Sequence, residues 1–486
     1  MNKEEWFTAP AKTRRLLAGD FHRPVYHFLP PKNWMNDPNG LFFWQGKYHL
    51  FYQFNPYTPL WGFIHWGHAT SPDMIHWQDH PIALFPDEGT GDAFGCWSGC
   101  IVDDHGIPSA LYTGFVSPEE TPVMLARAED DLLDRWTKSP HNPVIGAPPE
   151  GVIQTDFRDP YVWREGTLWK MVMGAGMMNG NCSVLLYQSA DLVKWEDCGV
   201  LFEKQVDGIR MWECPNFFQL EDRYVLLVSL FPDAQGVYYY VGDYDGARFV
   251  PAAEGYFDAG PSLYAPHVRT FPDGRTILFA WLMEQRSDEA LETAGWAGVQ
   301  TIPRELSLGV DGKLVGTPID VVRHLRRNHH PFSNLVLSEG EQWEVPARGR
   351  HLELKVAVAP LGGEVRLGVL YASDGEEVTW IGLDFDQNLL FMDTTQSSQS
   401  SEVKTGIQRV PLADGSPSEV RLRVFVDGSV IEAWTDDGAF LTGRAYPTCQ
   451  DADGVVLSAR GGEARVRSLE VWQMESIWPA AGESER

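Results

Sequence analysis

A chain of 486 residues is too long for one ordinary hydrophobic core, so at least two structural units are expected. With 43% hydrophobic and 22% charged residues it reads as globular, which excludes a disordered or fibrous chain. A net charge of −28 with no Lys/Arg cluster excludes nucleic-acid binding through a basic face.

Met1-Asn2-Lys3-Glu4-Glu5-Trp6 lacks the apolar core of a signal peptide, and no window is long enough to span a membrane. The expected location is the cytoplasm, with no membrane partner. Cys96, Cys100, Cys182, Cys198, Cys214 and Cys449 match no zinc spacing and are read as thiols. Cys96 and Cys100, four apart on a strand, would stand about 13 Å apart, too far for a disulfide. Nineteen tryptophans offer flat apolar faces suited to sugar rings or to β-cores.

Residues 1–25 form an N-terminal extension. Trp34-Met35-Asn36-Asp37-Pro38-Asn39-Gly40 then reads as a turn, because Pro presets φ and Asn-Gly tolerates positive φ. It leads into a hairpin, Leu41–Trp44 and Tyr48–Phe54 around Gln45-Gly46, with Asp37 at its mouth. Hairpins recur with starts at Leu41, Cys100, Tyr161, Phe217 and His267. A looser repeat, Ser-x-Asp-apolar-apolar-x-Trp, ends at Trp77 and Trp195, with a related segment ending at Trp136. Five all-β units of about 50–60 residues fit the four-stranded blades of a propeller over 26–318. Residues 319–337 read as a short helix or linker. Residues 338–476 alternate apolar and polar, as in an antiparallel β-sandwich, and include Arg423 to Trp434 as a strand. Thr394–Ser401 reads as an exposed loop, and 477–486 as a frayed tail.

In a propeller, residues before the innermost strands converge on the axis. Those residues are Asp37; Trp97-Ser98; Arg158-Asp159; Trp212-Glu213-Cys214; and Tyr264. Carboxylates at three of five equivalent positions would repel one another unless they are used. Two carboxylates flanking a bond are the machinery of glycoside hydrolysis, one protonated and one ionised. His65 and His68 are read as structural, because no third metal ligand lies nearby in sequence.

Three of these stretches, Trp34–Gly40, Arg158-Asp159-Pro160 and Trp212-Glu213-Cys214-Pro215, resemble the three signature stretches of glycoside hydrolase family 32. The resemblance runs from about Tyr26 to Trp472. It implies a five-bladed propeller followed by a β-sandwich, and a retaining mechanism without metal or organic cofactor. Asp37 would be the nucleophile, Glu213 the general acid/base and Asp159 the transition-state stabiliser beside Arg158. Asn36 and Gln53 would hold fructose, and Trp61 would form a pocket wall. Trp97-Ser98 stands where the family usually has Phe-Ser, and Tyr264 and Trp296 match less specific positions. The sandwich would stabilise the chain or assist homo-oligomer assembly. The implied activity is exo-acting β-fructofuranosidase on sucrose or short fructo-oligosaccharides. Sucrose-6-phosphate hydrolase, exo-inulinase or levanase, fructosyltransferase and a non-catalytic carbohydrate-binding protein remain alternatives.

Overall fold

Five antiparallel sheets succeed one another over residues 33–318 of the computed structural model, which describes residues 10–478 except 233–235, 259, 310 and 414–417. The signal-peptide reading at Met1–Trp6 and most of the expected tail therefore lie outside the described residues. Each sheet is built on four strands; the first adds Trp296–Ala297 and the fifth adds Val299–Gln300, which lie in sequence between its second and third strands. The innermost strands are Asn33–Trp44, Gly95–Asp104, Val152–Glu165, Met211–Leu220 and Leu263–Thr270. Each packs against the next, and the last returns to the first, so the blades close a ring. Gln45-Gly46 and His105-Gly106 have positive φ at both positions, the hairpin geometry whose twist matches the flanking strands.

The stretch 34–40 is not a turn. It lies inside the first innermost strand, which shifts register between Met35 and Pro38 and again between Asn39 and Phe42. The other four innermost strands shift register at Cys96/Gly99, Arg158/Tyr161, Glu213/Asn216 and Tyr264/His267. Proline has no N–H for a ladder, so Pro160, Pro215 and Pro266 fall inside the interruptions and Pro38 stands at the edge of one. Asp159, Cys214 and Ala265, each before a proline, have φ of 66°, 45° and 45°. These bulges bend the strands and re-aim their side chains at the axis.

The tryptophan repeat is a shared turn between the third and fourth strands of blades one to three. The indoles of Trp77, Trp136 and Trp195 donate to the carbonyls of Met74, Leu133 and Leu192 at 3.1, 2.8 and 3.0 Å. Those three acceptor residues all lie in the left-handed region. Asp73, Asp130 and Asp191 bind backbone N–H groups of the same turns, as short acidic side chains do.

Trp296-Ala297 pairs in parallel with Asn33-Trp34. Gly298, with φ 83°, has no room for a side chain, since a Cβ would stand 1.7 Å from the Met35 carbonyl oxygen.

Two six-stranded sheets form the sandwich, with an apolar core of their own. The expected linker is shorter than 319–337. Only Asp320–Leu325 is helical, of the 3₁₀ type, and Arg326–Leu337 is a strand paired along Ala464–Met474. Its many exposed polar residues hid the alternation. Arg423 to Trp434 is a hairpin, Val420–Asp427 and Val430–Thr435, rather than one strand. Thr394–Ser401 is a loop, but Thr394 and Ser397 are buried, and nearby Lys404 and Glu402 bond the propeller at Gln285 and Ser287.

The two units meet through buried charge. Asp427 accepts from the N–H groups of Val25, Tyr26 and His27, each at 2.8 Å, and from His27 Nδ1 at 2.8 Å. Glu432 accepts from His27 Nε2 at 3.0 Å, Ile302 N–H at 2.8 Å and Arg304 Nη2 at 2.5 Å. The end of the expected N-terminal extension is thus part of the interface. Pro10–Leu17 ahead of it is helical, and Arg14 pairs with Asp79 at 2.7 Å.

Candidate active site

The bulges deliver two neighbouring side chains per blade to the channel mouth. In blades three to five, Arg158, Glu213 and Tyr264 hold the last paired position, and Asp159, Cys214 and Ala265 the next. Glu213 is therefore equivalent to Arg158, not to Asp159. The residue equivalent to Asp159 is Cys214, which sequence reasoning passed over.

Asp37 is buried, and every group that hydrogen-bonds it is a neutral donor. Its Oδ2 accepts from Gln53 Nε2 at 3.0 Å, Ser98 Oγ at 2.5 Å and Cys214 Sγ at 3.5 Å; Oδ1 accepts from Asn36 Nδ2 at 3.0 Å. The Trp34 indole donates to Asn36 Oδ1 at 2.7 Å and so sets which way that amide faces. Cys214 also carries Asp159: its N–H donates to Asp159 Oδ2 at 2.9 Å and its thiol lies 3.6 Å from the same oxygen. The Asp159 N–H in turn donates to Thr113 Oγ1 at 2.8 Å.

Glu213 is held from both sides. Arg158 Nε and Nη2 donate to Oε1 at 3.0 and 2.7 Å, and the Tyr264 hydroxyl donates to Oε2 at 2.6 Å. The Arg158 guanidinium is fixed by the Thr155 carbonyl and lies over the Phe231 ring. Ser98, Asp159 and Cys214 share one pocket with Asn39, Tyr161, Asn216 and His267.

Trp97 stacks on Phe115 at 4.2 Å and meets Trp61 edge-on at 5.7 Å. Trp61 is 52% exposed, as a sugar-facing wall requires. Phe63 and Phe94, also half exposed, meet each other edge-on at 6.2 Å and neighbour Trp61 and Trp97 in sequence; single apolar residues in loops gave no pattern to find them by. Trp296 does not belong to the site. It is fully buried between the Arg23 and Arg286 guanidinium groups, and its indole donates to Asp20 at 2.7 Å. No face is left for a sugar, because the ring-closing pair with Asn33 needs it inside.

Burial, then the charge of Glu213, pushes Asp37 up to about 6, against its hydrogen bonds from Ser98 and Asn36. Burial also raises Asp159, with Arg158 pulling it back and Glu213 and Asp37 pushing it higher. The Cys214 thiol is held well above its ordinary value by burial and by the Asp159 and Asp37 charges, so it stays neutral. A carboxylate attacks only when it is ionised. With Asp37 in that role, the acid limb of kcat/KM is expected near pH 6, activity rising with pH through it and flattening above. A pH–rate profile checks this. Because the folded Asp37 keeps its proton from 3.8 to about 6 while the unfolded one releases it, its ionisation weakens the fold as pH rises across that window. Asp37→Asn is accordingly expected to raise Tm at neutral pH while abolishing turnover.

Residues 27–318 match the family model described as the glycosyl hydrolases family 32 N-terminal domain, and 321–473 match its C-terminal counterpart. The chain belongs to glycoside hydrolase family 32. Its family-32 relatives include the sucrose-6-phosphate hydrolase of Escherichia coli, 34% identical over 96% of this chain and 98% of that one. A levanase of Bacillus subtilis is 32% identical over 97% of this chain and 73% of its own length. The crystal structure of fructan 1-exohydrolase IIa from Cichorium intybus superposes with a TM-score of 0.86 at 27% identity, covering 94% of this chain and 98% of that one. The family-32 chain described here is thus a glycoside hydrolase acting on fructosides, and its propeller and sandwich are those of the family. No helix among its described residues is long and apolar enough to cross a membrane.

Proposed function

We propose that this family-32 enzyme is a retaining, exo-acting β-fructofuranosidase in which Asp37 is the nucleophile, Glu213 the acid/base and Asp159 the transition-state stabiliser. The observation that carries the assignment is the division of partners. Asp37 is oriented only by neutral donors and keeps its electron pairs for attack, whereas Glu213 is gripped by a cation and a phenol that fix its direction.

In the first step an Asp37 oxygen attacks the anomeric carbon of the terminal fructosyl unit. The bond to the glycosidic oxygen breaks, and that oxygen takes the Glu213 proton as the aglycone leaves. In the second step Glu213 removes a proton from water, which attacks the same carbon and displaces Asp37. Net configuration is retained. Asp159 strengthens its hydrogen bonds to the sugar hydroxyls as the ring gains positive charge. Burial of the carboxylates beneath the Trp61–Trp97 wall favours a terminal residue over an internal one. Six free cysteines, none in a disulfide, favour a reducing compartment such as the cytoplasm.

One observation favours a phosphorylated substrate as a second reading. Arg210, half exposed, lies over the same Phe231 ring as Arg158 and pairs with Asp156 at 2.7 Å. It is a cation that shares this ring with the arginine that holds Glu213. Free fructose and glucose should be quantified from sucrose, sucrose 6-phosphate, a short inulin-type oligomer and levan. Equimolar fructose and glucose from sucrose, with slow polymer attack, supports the first reading; no fructose from any substrate sinks it. If phosphate is read, Arg210→Ala is expected to raise KM for the phosphate ester about tenfold or more while sparing sucrose. Equal effects on both substrates would dispose of that role.

A further inference from the structure

The outer strands of the first blade hold a second cluster that catalysis does not use. His68 lies on His65–Ser71 and His80 on Gln78–Leu84, while Asp134 comes from the repeat turn of the second blade, before Trp136. One ligand atom from each falls within 4.8 Å of the others. Asp134 Oδ1 stands 2.8 Å from His80 Nδ1 and 3.4 Å from His68 Nδ1.

The distal nitrogens of both rings are already engaged. His68 Nε2 lies 3.0 Å from His49 Nδ1, and His80 Nε2 lies 2.9 Å from Thr70 Oγ1. The His68 ring is also locked by stacking on Phe51 at 4.2 Å. His68 Nδ1 is buried with no hydrogen-bond partner and stands 3.4 Å from the Asp134 carboxylate oxygen. A ring nitrogen and a carboxylate oxygen directed at one point make a place for a cation. A proton on His80 Nδ1 answers Asp134 but leaves His68 unanswered.

We propose that His68, His80 and Asp134 bind one divalent transition-metal ion, of the Zn²⁺ class, that clasps the first blade to the second. Two imidazoles and a carboxylate are a donor set that suits Zn²⁺, and ligands about 2.0–2.1 Å from a tetrahedral ion stand about 3.3 Å from one another. Hydrogen-bonded distal nitrogens are what metal-ligating histidines ordinarily show. His80 and Asp134 are partly exposed, which leaves access for the ion and a fourth position for water. His65, three residues before His68, takes no part: its Nδ1 lies 2.7 Å from the Phe63 carbonyl oxygen.

The test uses the full chain stripped with EDTA and titrated with ZnCl₂ by calorimetry, with metal content measured after dialysis. One ion per chain and a rise in Tm on Zn²⁺ addition are expected. Co²⁺ should give the intense visible d–d bands of a four-coordinate site. Asp134→Asn and His80→Gln should each weaken binding at least about tenfold, whereas His76→Asn, outside the cluster, should not. No stoichiometric ion in the wild type overturns the proposal, as does binding that survives both ligand substitutions. Should either variant misfold by circular dichroism, the wild-type Co²⁺ spectrum decides, octahedral or absent bands counting against the clasp.

Discussion

Glu213→Ala is expected to lower kcat on sucrose by about 10³–10⁴-fold, and Asp37→Ala by on the order of 10⁵-fold, with the fold intact in both. The two losses should differ in kind. A fructoside whose leaving group departs without a proton bypasses the first duty of Glu213, so that variant should regain much of its first-step rate. Asp37→Ala has no nucleophile for any leaving group and should regain none. Comparing an aryl fructoside with sucrose in each variant checks the assignment. Near-wild-type rates in either, or equal recovery in both, would overturn it. Arg158 lies under the same test: without its two bonds to Glu213 the carboxyl loses its direction, even though no reacting atom is removed.

Glu432→Ala is expected to destabilise the enzyme by about 3–5 kcal/mol, the largest loss at any residue remote from the site. It strands the fully buried Arg304 guanidinium, whose other carboxylate, Asp258, is 3.9 Å away. It also removes the acceptor for the Ile302 N–H and for His27. Urea unfolding followed by fluorescence measures the shift; a midpoint within error of wild type would refute it. The network has a pH window. Hydrogen bonds from His27 and His351 hold Asp427 well below the usual carboxylate range, and Arg304 and His27 hold Glu432 down. Their contribution is present above the unfolded value of about 4 and is lost as pH falls through the depressed folded values. His27 is raised by the same two carboxylates against its burial, so its contribution is full below about 6.5 and is lost as pH rises through its folded value. The interface is thus strongest between about pH 4 and 6.5.

Much of this was legible without coordinates, and the misses share a cause. The five hairpins and the tryptophan repeat are local patterns, so the propeller and its carboxylates could be read directly. Asp37-Pro38-Asn39-Gly40 has the composition of a turn, and only its pairing with Phe51 and Tyr52 makes it a bulged strand. Glu213 and Cys214 could not be put in register until the bulges were seen. Arg326–Leu337 looks like linker because its face is wet, and Trp296 looks like a ligand-binding tryptophan because its partners, Asp20, Arg23 and Arg286, are far away in sequence. The neighbour of His68 and His80 across the blades, Asp134, lies more than 50 residues further on and so gave no local pattern.

The ring closes late. The strand that carries Asp37 is flanked by Trp296-Ala297 and by Leu263–Thr270, and the three residues before that blade are anchored to Asp427, 400 residues further on. At about 5–20 residues per second, the ribosome adds that anchor about 20–80 s after it has made Asp37. The first of the three carboxylates to be synthesised is therefore among the last to be seated. A nascent chain exposing the first four blades carries Asp37, Asp159 and Glu213 and still has no working site.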